Sequence, residues 1–330
     1  MKDILLTAVV LSYNRPRELL RCLNSIDIEP CSSFKVFIND DFSPRRKEIA
    51  GIVSEFKAKS NYLIVDNHNN TNLGFDRSYY NSIKANLDSQ HLLFITDDDT
   101  FISGGLLKLY NFLKVSKPPL LFTKYYSSFD GRYYRRPLNT AHKSNYENLL
   151  SSIDNLILLS GMCINTDSFI DFDIEKTRDT FYTQVYVGSR IILNDGCQYL
   201  DMGLIKYIGD GDNGFKSKKK NINPNLISDR NNPLSNIEYN KGLVEVYHRI
   251  NEVTNNQLIK DLSKNYHRRK FGSFVYAASF GKRSLIRFYL AIRRLNLRHS
   301  FYSELYLVIT LLLGYRSANK FYRLLLKFKR

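Results

Sequence analysis

Short apolar runs recur along the first 210 residues and predict buried β-strands. Each run is bounded by polar or turn-forming residues, and most of them lack polar alternation, which is typical of strands covered on both faces. The predicted strands are Leu5–Leu11, Phe34–Ile38, Tyr62–Val65, Leu92–Thr96, Leu120–Lys124, Leu156–Ile164 and Gln198–Leu200.

Amphipathic stretches with helical spacing lie between these strands. The predicted helices are Arg17–Ile26, Pro44–Phe56, Arg77–Leu87, Gly104–Leu113 and Phe181–Leu193. Alternation of strands and helices is typical of an α/β fold with a mixed, mainly parallel sheet and helices on both faces. In such sheets, loops at the carboxyl ends of the strands carry the chemistry.

The pattern changes after the last predicted strand. Residues 210–236 form a long polar break that contains Gly211-Asp212-Asn213 and a lysine-rich stretch. Loops of this length are usually functional or disordered. From Lys241 onward the pattern is helical, so we predict a catalytic domain over 1–240, with halves at about 1–105 and 106–240, and a helical region over 241–330.

Two amphipathic patterns mark this C-terminal region. One apolar face is formed by Leu285, Phe288, Tyr289, Ile292 and Leu295, and a second by Ala318, Phe321, Leu325 and Phe328. The cationic stripe opposite the second face consists of Arg316, Lys320, Arg323 and Lys327. Apolar residues on one side and Lys/Arg on the other predict a helix that lies on a membrane surface.

The net charge also differs between the predicted catalytic domain and the C-terminal region. The chain carries a formal charge of +16, yet residues 1–240 contribute only +1, from 29 Lys/Arg and 28 Asp/Glu. Residues 241–330 carry 19 Lys/Arg and 4 Asp/Glu, a net +15. A tail of this charge predicts a polyanionic partner, either an anionic membrane surface or nucleic acid.

The apolar runs are too short to cross a bilayer. Ile4–Leu11 has eight residues and is followed by polar ones, which favours a buried strand over a secretory signal. Leu305–Gly314 has half of the roughly 20 residues that a membrane-spanning helix needs. The four cysteines show no CxxC spacing, so we expect a reduced, cytoplasmic setting with peripheral attachment to the inner face of the membrane.

Four polar clusters carry the candidate chemistry, and three of them directly follow predicted strands. They are Ser12-Tyr13-Asn14-Arg15, Asn39-Asp40-Asp41, Asn72-Leu73-Gly74 with Arg77, and Asp97-Asp98-Asp99. Each cluster alone could be a turn or a helix cap. Their order and spacing together predict one site.

The acidic clusters indicate what this site binds. Mg²⁺ typically takes one or two protein carboxylates together with substrate phosphates, so Asp97, Asp98 and Asp99 predict a site for Mg²⁺ or Mn²⁺ beside a phosphorylated ligand. A surface turn is the alternative. Asp41 is a candidate contact to a nucleotide base, because a carboxylate accepts a hydrogen bond from a base N–H.

In their order, these clusters resemble those of family-2 glycosyltransferases with the GT-A fold, over residues 5–205. The resemblance implies that Ser12, Tyr13, Asn14 and Arg15 open the nucleotide site, and that Asp41 contacts the base. It implies that Asp97, Asp98 and Asp99 bind the ribose and the divalent cation. It also implies that Asn72, Gly74 and Arg77 pack against the nucleotide.

More narrowly, Gly211-Asp212-Asn213, the lysine-rich loop and the basic tail are similar to O-antigen dideoxyhexosyltransferases such as abequosyltransferase. This resemblance implies transfer from a nucleoside diphosphate sugar to a lipid-linked saccharide acceptor in O-antigen, capsule or other surface polysaccharide assembly.

One position departs from the family pattern. Many members have an acidic pair about seven residues before an Arg on the helix that here is Val185–Leu193, and counting back from Arg190 reaches Thr183-Gln184. Asp179 is the nearest candidate for the general base, with a helix cap as its alternative role. The inverting or retaining outcome therefore stays open.

Three other functions compete with this one. A haloacid-dehalogenase-like phosphatase would need a Thr or Val where Phe101 stands. A nucleic-acid-binding protein would explain the basic tail, but the tail interleaves its cations with apolar residues and no recognised nucleic-acid module occurs, so no nucleic acid is expected. A catalytically inactive nucleotide-sugar-binding subunit would explain the missing acidic pair.

Overall fold

The computed structural model describes residues 2–29, 31–129, 131–135, 143–208, 235–255, 257–262, 271–295 and 301–328. The predicted loop over 210–236, including Gly211-Asp212-Asn213, therefore lies almost entirely outside the described residues. The chain divides into two compact units, Met1–Gly214 and Phe215–Arg330.

The first unit is built on a sheet of nine strands. Their bounds are β1 Ile4–Ser12, β2 Phe34–Asp40, β3 Leu63–His68, β4 Ser89–Thr96, β5 Thr100–Phe101, β6 Leu120–Ser127, β7 Arg132–Tyr134, β8 Met162–Asn165 and β9 Gln198–Tyr207. The strand order is β3-β2-β1-β4-β8-β6-β9-β5, and β7 pairs with β6.

Strands β3, β2, β1 and β4 are parallel to one another. Strand β8 pairs antiparallel with both β4 and β6, and thereby joins this parallel half to the β6–β9 pair, which is again parallel. The mixed, mainly parallel sheet expected from the sequence is confirmed. Because β1 lies between β2 and β4, the loops that follow these three strands meet at one edge.

Six helices lie in the described part of the first unit. They are α1 Pro16–Asn24, α2 Arg46–Lys59, α3 Phe75–Lys84, α4 Gly105–Val115, α5 Asn145–Ser152 and α6 Thr183–Asp195. Short 3₁₀ turns occupy Ile153–Leu156, Thr166–Ser168 and Ile174–Lys176. The apolar sides of α1, α2 and α4 join the residues of β1, β2 and β4 in one buried core.

Two differences from the sequence prediction have local causes. The predicted strand Leu156–Ile164 is a strand only from Met162 onward. Leu156 itself ends the 3₁₀ turn that precedes β8. Helix α5 was not predicted, although Ser144 and Glu147 form a reciprocal capping box at its start. That Ser-x-x-Glu spacing was a usable signal.

The second unit contains α7 Ser235–Val253, α8 Phe271–Ser279, α9 Lys282–Arg293 and α10 Phe301–Phe328. The predicted face on α9 is buried: Leu285, Phe288, Ile292 and Leu295 pack in one cluster with Phe274 of α8. Helix α10 is kinked at Gly314, whose backbone is non-helical at φ 67° and ψ 169°. Among the described residues, no helix is both long and apolar enough to span a membrane.

The second predicted apolar face on α10 is divided between two environments. Ala318 is buried in a cluster with Phe271, and the rings of Phe271 and Tyr322 lie 5.9 Å apart. Phe321 and Leu325 remain partly exposed. Arg316, Lys320 and Arg323 are exposed as expected, whereas the side chains of Lys327 and Phe328 lie outside the described part.

Candidate functional site

The candidate site begins where β2, β1 and β4 end side by side. Ser12 is paired with Asp40, and Leu11 with Thr96, so the polar residues after each strand emerge together. The backbone N–H of Asp97 donates to the carbonyl of Leu11 at 3.1 Å, which continues this alignment past the end of β4. The first, second and fourth sequence clusters therefore meet, as sheet order requires.

Asp97 is the buried centre of this meeting point. Its Oδ2 accepts from the N–H of Tyr13 at 3.1 Å, and its Oδ1 accepts from Nη1 of Arg15 at 2.8 Å. The same Nη1 lies 3.2 Å from Oδ2 of Asp98. One guanidinium thus holds two adjacent carboxylates, and it also orders the residues after β1.

Asp99 is buried on the other side of the acidic run. Its Oδ1 accepts from the N–H of Ile208 at 3.1 Å, and its Oδ2 accepts from Oγ1 of Thr96 at 3.3 Å. Burial, reinforced by the charge of Asp98, raises the pKa of Asp99 to about 7. Burial likewise raises the pKa of Asp97 to about 7, and Arg15 opposes that increase.

These carboxylates fit a divalent cation that the substrate helps to hold. Arg15 contacts two of the three carboxylates of the acidic run, those of Asp97 and Asp98. Burial is the main cause of the raised pKa values of Asp97 and Asp99. Across the described residues, no three His, Cys, Asp or Glu side chains form a group that could hold a metal ion.

Asp41 holds the third cluster in place. Its Oδ1 accepts from the N–H of Leu73 at 2.8 Å and from Nδ2 of Asn69 at 2.9 Å, while its Oδ2 accepts from the N–H of Gly74 at 2.8 Å. Asn72 is exposed on this turn, and its Oδ1 also accepts from Gly74, at 3.1 Å. Asp41 is therefore the anchor that fixes this turn beside the end of β2.

The remaining predicted contacts lie around this core. Asn14 is exposed in the left-handed region at φ 57°, and its N–H donates to Oγ of Ser43 at 2.7 Å. Ser12 is buried next to Asp97. Arg77, on the first turn of α3, forms an ion pair with Glu175. The structure thus brings together Ser12, Tyr13, Arg15 and the acidic run, and it directs Arg77 toward the 3₁₀ turn at Ile174–Lys176.

The glycosyl transferase family 2 model matches residues 7–174, about half of the chain and the part that contains all four clusters. The chain belongs to glycosyl transferase family 2. No curated protein matches its sequence significantly.

Solved structures share the fold of this glycosyltransferase. S. aureus TarS matches with a TM-score of 0.56 at 14% identity; the match covers 96% of this chain and 55% of the TarS chain. The TarS fragment 1–349 in complex with UDP matches at 0.51 and 14% identity, over 97% and 91% of the two chains. The mannosyltransferase PcManGT from Pyrobaculum calidifontis, in complex with GDP-Man and Mn²⁺, matches at 0.52 and 10% identity, over 93% and 79%.

The family match confirms the predicted family, and the structural similarities confirm the GT-A-like fold. The narrower resemblance to dideoxyhexosyltransferases stays a prediction, as do the individual site residues. The 55% coverage means that the chain spans about half the length of the longer TarS structure.

The segment before α6 departs from the family pattern in the glycosyltransferase structure as well. Thr183 and Gln184 are buried, and Nε2 of Gln184 donates to the carbonyl of Ile157 at 3.0 Å. Asp179 is exposed and lies 3.3 Å from Nε of Arg178, with its backbone in the left-handed region at φ 62°. A non-glycine residue in this region carries strain, which often marks functional segments.

Sequence reasoning did not find Asp76, which organises this segment. Asp76 lies on the first turn of α3 and accepts from the N–H of Phe181 at 2.9 Å and of Thr183 at 3.1 Å. It thereby caps α6, whose own N-cap residue Tyr182 makes no side-chain capping bond. Burial raises the pKa of Asp76 to about 6. An acidic residue near a helix start suggested only a local dipole effect, so the sequence carried no signal for this contact.

His68 is a second residue that sequence reasoning did not find. Its two ring nitrogens lie 3.3 Å from Oδ2 of Asp40 and 3.0 Å from Oδ2 of Asp66. Asp40 also accepts from the hydroxyl of Ser43, so its carboxylate is directed into the protein. Asp40, the last residue of β2, supports the loop that follows this strand. Asp41 supports the turn at Asn72–Gly74.

Proposed function

We propose that this glycosyltransferase moves a sugar from a nucleoside diphosphate sugar to a saccharide hydroxyl with the help of Mg²⁺ or Mn²⁺. Family membership supports glycosyl transfer from a nucleotide-sugar donor. The observation that carries the proposal is the alignment of the ends of β1, β2 and β4, which brings Tyr13 and Arg15 into hydrogen-bonding distance of the buried carboxylate of Asp97. Buried carboxyl groups with raised pKa values, such as Asp97 and Asp99, are often found at functional sites.

The residues of the site have separate tasks in this proposal. Asp98 and Asp99 would hold the cation, which when bound neutralises the charge that develops on the diphosphate leaving group. Arg15 orients Asp97 through its 2.8 Å ion pair. The N–H groups of Tyr13 and Ile208 fix the carboxylates of Asp97 and Asp99 before the substrate arrives, which reduces the reorganisation needed during reaction.

In this proposal, the residues of the first three clusters bind the nucleotide. Ser12, Tyr13, Asn14 and Arg15 would line the nucleotide, with Asp41 at the base. The support is the network by which Asp41 holds Leu73 and Gly74 at 2.8 Å, because a fixed turn makes a preorganised wall for a planar ligand. Asn72, Gly74 and Arg77 would form the side of that wall.

Asp179 is the proposed proton acceptor for the incoming hydroxyl. It is exposed in a strained backbone conformation, and its charge acts on Asp76, which caps α6. Thr183 and Gln184 cannot take the proton, because neither is a base and both are buried. A carboxylate that accepts the proton is what an inverting displacement needs.

The proposed acceptor is a lipid-diphosphate-linked glycan of O-antigen, capsule or another surface polysaccharide, reached from the inner face of the membrane. The supporting feature is α10, where Arg316, Lys320 and Arg323 are exposed together with the apolar residues Leu312 and Leu324. Cations and apolar side chains on one helix favour the interface of an anionic bilayer. The protein would therefore be peripheral and cytoplasmic.

Titration of the purified chain with UDP-sugars and GDP-sugars, with Mn²⁺ and then with EDTA, tests the enzymatic proposal. We expect binding of at least one donor, loss of affinity of about tenfold or more in EDTA, and metal-dependent release of nucleoside diphosphate. Donor binding without any release would identify an inactive binding subunit. Absence of donor binding would contradict the proposal and favour the nucleic-acid alternative.

A further inference from the structure

The segment between the 3₁₀ turn at Ile174–Lys176 and helix α6 contains the proposed base Asp179, and it is attached to helix α3. The carboxylate of Asp76, in the first turn of α3, accepts from the N–H of Phe181 at 2.9 Å and from the N–H of Thr183 at 3.1 Å. Both bonds join residues more than a hundred positions apart in the sequence. Helix α3 therefore fixes the backbone that directly follows the proposed base.

The backbone of this segment is strained and needs outside support. Asp179 and Phe181 both lie in the left-handed region, with φ of 62° and 65°, which non-glycine residues rarely adopt. Such conformations persist only where the surrounding contacts enforce them. The two bonds to Asp76 are contacts of this kind, because they hold the N–H groups of Phe181 and Thr183 on either side of Tyr182.

A charged side chain is a costly choice for this support. Burial raises the pKa of Asp76 to about 6, the hydrogen bonds from Phe181 and Thr183 oppose this rise, and the charge of Asp179 adds to it. The carboxylates of Asp76 and Asp179 therefore lie close enough to interact. A neutral acceptor would cap a helix without burying a charge. A buried carboxyl with a raised pKa beside a second carboxylate is often found at functional sites.

The start of α3 is also held from the side of the proposed nucleotide site. Gly74 is the N-cap residue of α3, and its N–H donates to Oδ2 of Asp41 at 2.8 Å. Asp76 follows in the same helical turn. One turn of α3 is therefore bonded both to the carboxylate proposed to contact the nucleotide base and to the segment that contains Asp179. This turn sets where Asp179 lies relative to the donor.

A chain of ion pairs runs beside this buried link at the surface. Arg77, next to Asp76, pairs with Glu175. Nη1 of Arg178 lies 3.0 Å from Oε2 of Glu175, and Nε of Arg178 lies 3.3 Å from Oδ2 of Asp179. Exposed ion pairs of this kind contribute little to stability. They orient the side chain of Asp179, whereas the buried Asp76 holds its backbone.

We propose that Asp76 is a positioning residue, which holds Asp179 where the saccharide hydroxyl gives up its proton. In that step the hydroxyl oxygen bonds to the anomeric carbon and its proton moves to Asp179. The nucleoside diphosphate leaves with the electrons of the bond that breaks. The inference rests on the proposed function, because Asp179 is the base assigned there.

Geometry explains why such a support matters. A general base must lie within hydrogen-bonding reach of the proton that it accepts. A displacement of about 1 Å from that position can cost about a hundredfold in rate. Asp76 does not itself take the proton, since it is buried and its two oxygens already accept from Phe181 and Thr183.

A double-mutant cycle in the full chain tests this role, with release of nucleoside diphosphate from UDP-glucose, UDP-N-acetylglucosamine and GDP-mannose in Mn²⁺ as the assay. At a temperature well below every melting transition, Asp76→Ala should lower kcat about tenfold to a hundredfold with little change in the KM of the donor. Asp76→Asn should recover part of this loss. Asp76→Ala/Asp179→Asn should be no slower than Asp179→Asn, because positioning is irrelevant once the base is absent. If Asp76→Ala does not fold, Asp76→Asn takes its place in the cycle.

Asp171→Asn is the matched control. The carboxylate of Asp171 also joins the chain before α6 to α3, through bonds from Tyr80 and Lys84. It is exposed and precedes the 3₁₀ turn at Ile174–Lys176, whereas Asp179 follows that turn. We therefore expect an unchanged kcat in Asp171→Asn.

The outcomes separate this inference from the proposed function. An unchanged kcat in the Asp76 variants, an equal loss in Asp171→Asn, or a double variant that loses the full factor of both single variants would each overturn the positioning role while the enzyme stays active. No release of nucleoside diphosphate by the wild type would reject the proposed function, and full activity of Asp179→Asn would reject the proposed base. Either of these results would remove the positioning role as well.

Discussion

At the scale of single residues, the buried carboxyl groups make the stability of the folded chain depend on pH. Asp99 has a folded-state pKa of about 7, above the ordinary value of 3.8. A carboxyl whose pKa rises on folding binds its proton more tightly in the folded state. The free energy of unfolding therefore falls as pH rises from about 4 to about 7, and the full cost applies above pH 7.

Asp99→Asn should lower the transfer activity without lowering the melting temperature. We expect transfer to fall at least a hundredfold, because the cation supplies several kcal/mol and about 1.4 kcal/mol is a tenfold change in rate. The melting temperature at pH 8 should stay equal or rise, since the amide oxygen can still accept from Ile208 without a buried charge. Asp3→Asn, at an exposed position, is the control. Full activity of Asp99→Asn, Asp98→Asn and Asp97→Asn, each tested singly, would reject the cation site.

Asp41 has two proposed roles, as a contact to the nucleotide base and as the anchor of the turn at Leu73 and Gly74. Asp41→Ala removes the proposed base contact together with the anchor of Leu73 and Gly74, so donor affinity should fall about tenfold to a hundredfold, for a loss of about 1.5–3 kcal/mol. The chemical step should change less, because the base is remote from the reacting carbon. Calorimetry with the nucleoside diphosphate measures this.

Asn69→Ala is the comparison for Asp41, because it removes one bond to Asp41 and leaves the carboxylate. If both variants lose the same affinity, Asp41 acts only through the turn. Unchanged affinity in Asp41→Ala would show that Asp41 makes no contact that the nucleotide needs.

At the scale of elements, α3 and α6 are joined through Asp76, and the segment between Thr177 and Thr183 depends on this link. Asp76→Ala removes both capping bonds and should cost about 0.5–2 kcal/mol. In a unit of this size that corresponds to a fall in melting temperature of about 1–8 °C. Asp76→Asn keeps one of the two acceptor oxygens and should therefore lose less stability than Asp76→Ala.

Asp179 lies on the same segment, but its substitution should affect activity and not stability. Asp179→Asn should lower kcat by about a hundredfold or more, as expected for a lost general base. The melting temperature should not change, because the side chain is exposed. Steady-state kinetics and thermal unfolding of both variants test the pair. A fully active Asp179→Asn enzyme would remove Asp179 as the base, whatever Asp76 does.

At the scale of the whole molecule, the net charge of the chain is concentrated in residues 241–330. Within them, the exposed cations of α10 are candidates for contact with anionic lipid. Arg316→Glu/Lys320→Glu/Arg323→Glu should lower binding to vesicles that contain phosphatidylserine by about a hundredfold or more, because each cation near an anionic surface contributes about 1 kcal/mol. Transfer to a short soluble acceptor should persist.

Lys47→Glu/Lys57→Glu/Lys59→Glu is the control for this variant, since it makes the same change of charge at exposed positions of the first unit. Co-sedimentation with vesicles, at low and high salt, measures the effect. Vesicle binding that is insensitive to both the α10 reversal and salt would mean that α10 serves only to pack within its own unit, as Ala318 and Tyr322 already do.

The sequence by itself determined which segments form the sheet, where its chemistry lies and to which family the chain belongs. Continuous apolar runs and helical periodicity are local properties, so β1, β2 and β4 and the helices between them could be predicted within a few residues. The position of the polar clusters after parallel strands then implied that they meet at one edge.

Only the tertiary structure decided what the carboxylates of that edge contact. The carboxylate of Asp41 accepts hydrogen bonds from Leu73 and Gly74. Asp76 caps a helix that begins more than a hundred residues later. The stacking of Tyr125 on Tyr134 likewise depends on β6 pairing with β7 in addition to β8 and β9. Such contacts join residues that are distant along the chain, and the order in which strands pack, which no local pattern encodes, brings them within hydrogen-bonding or ring-stacking distance.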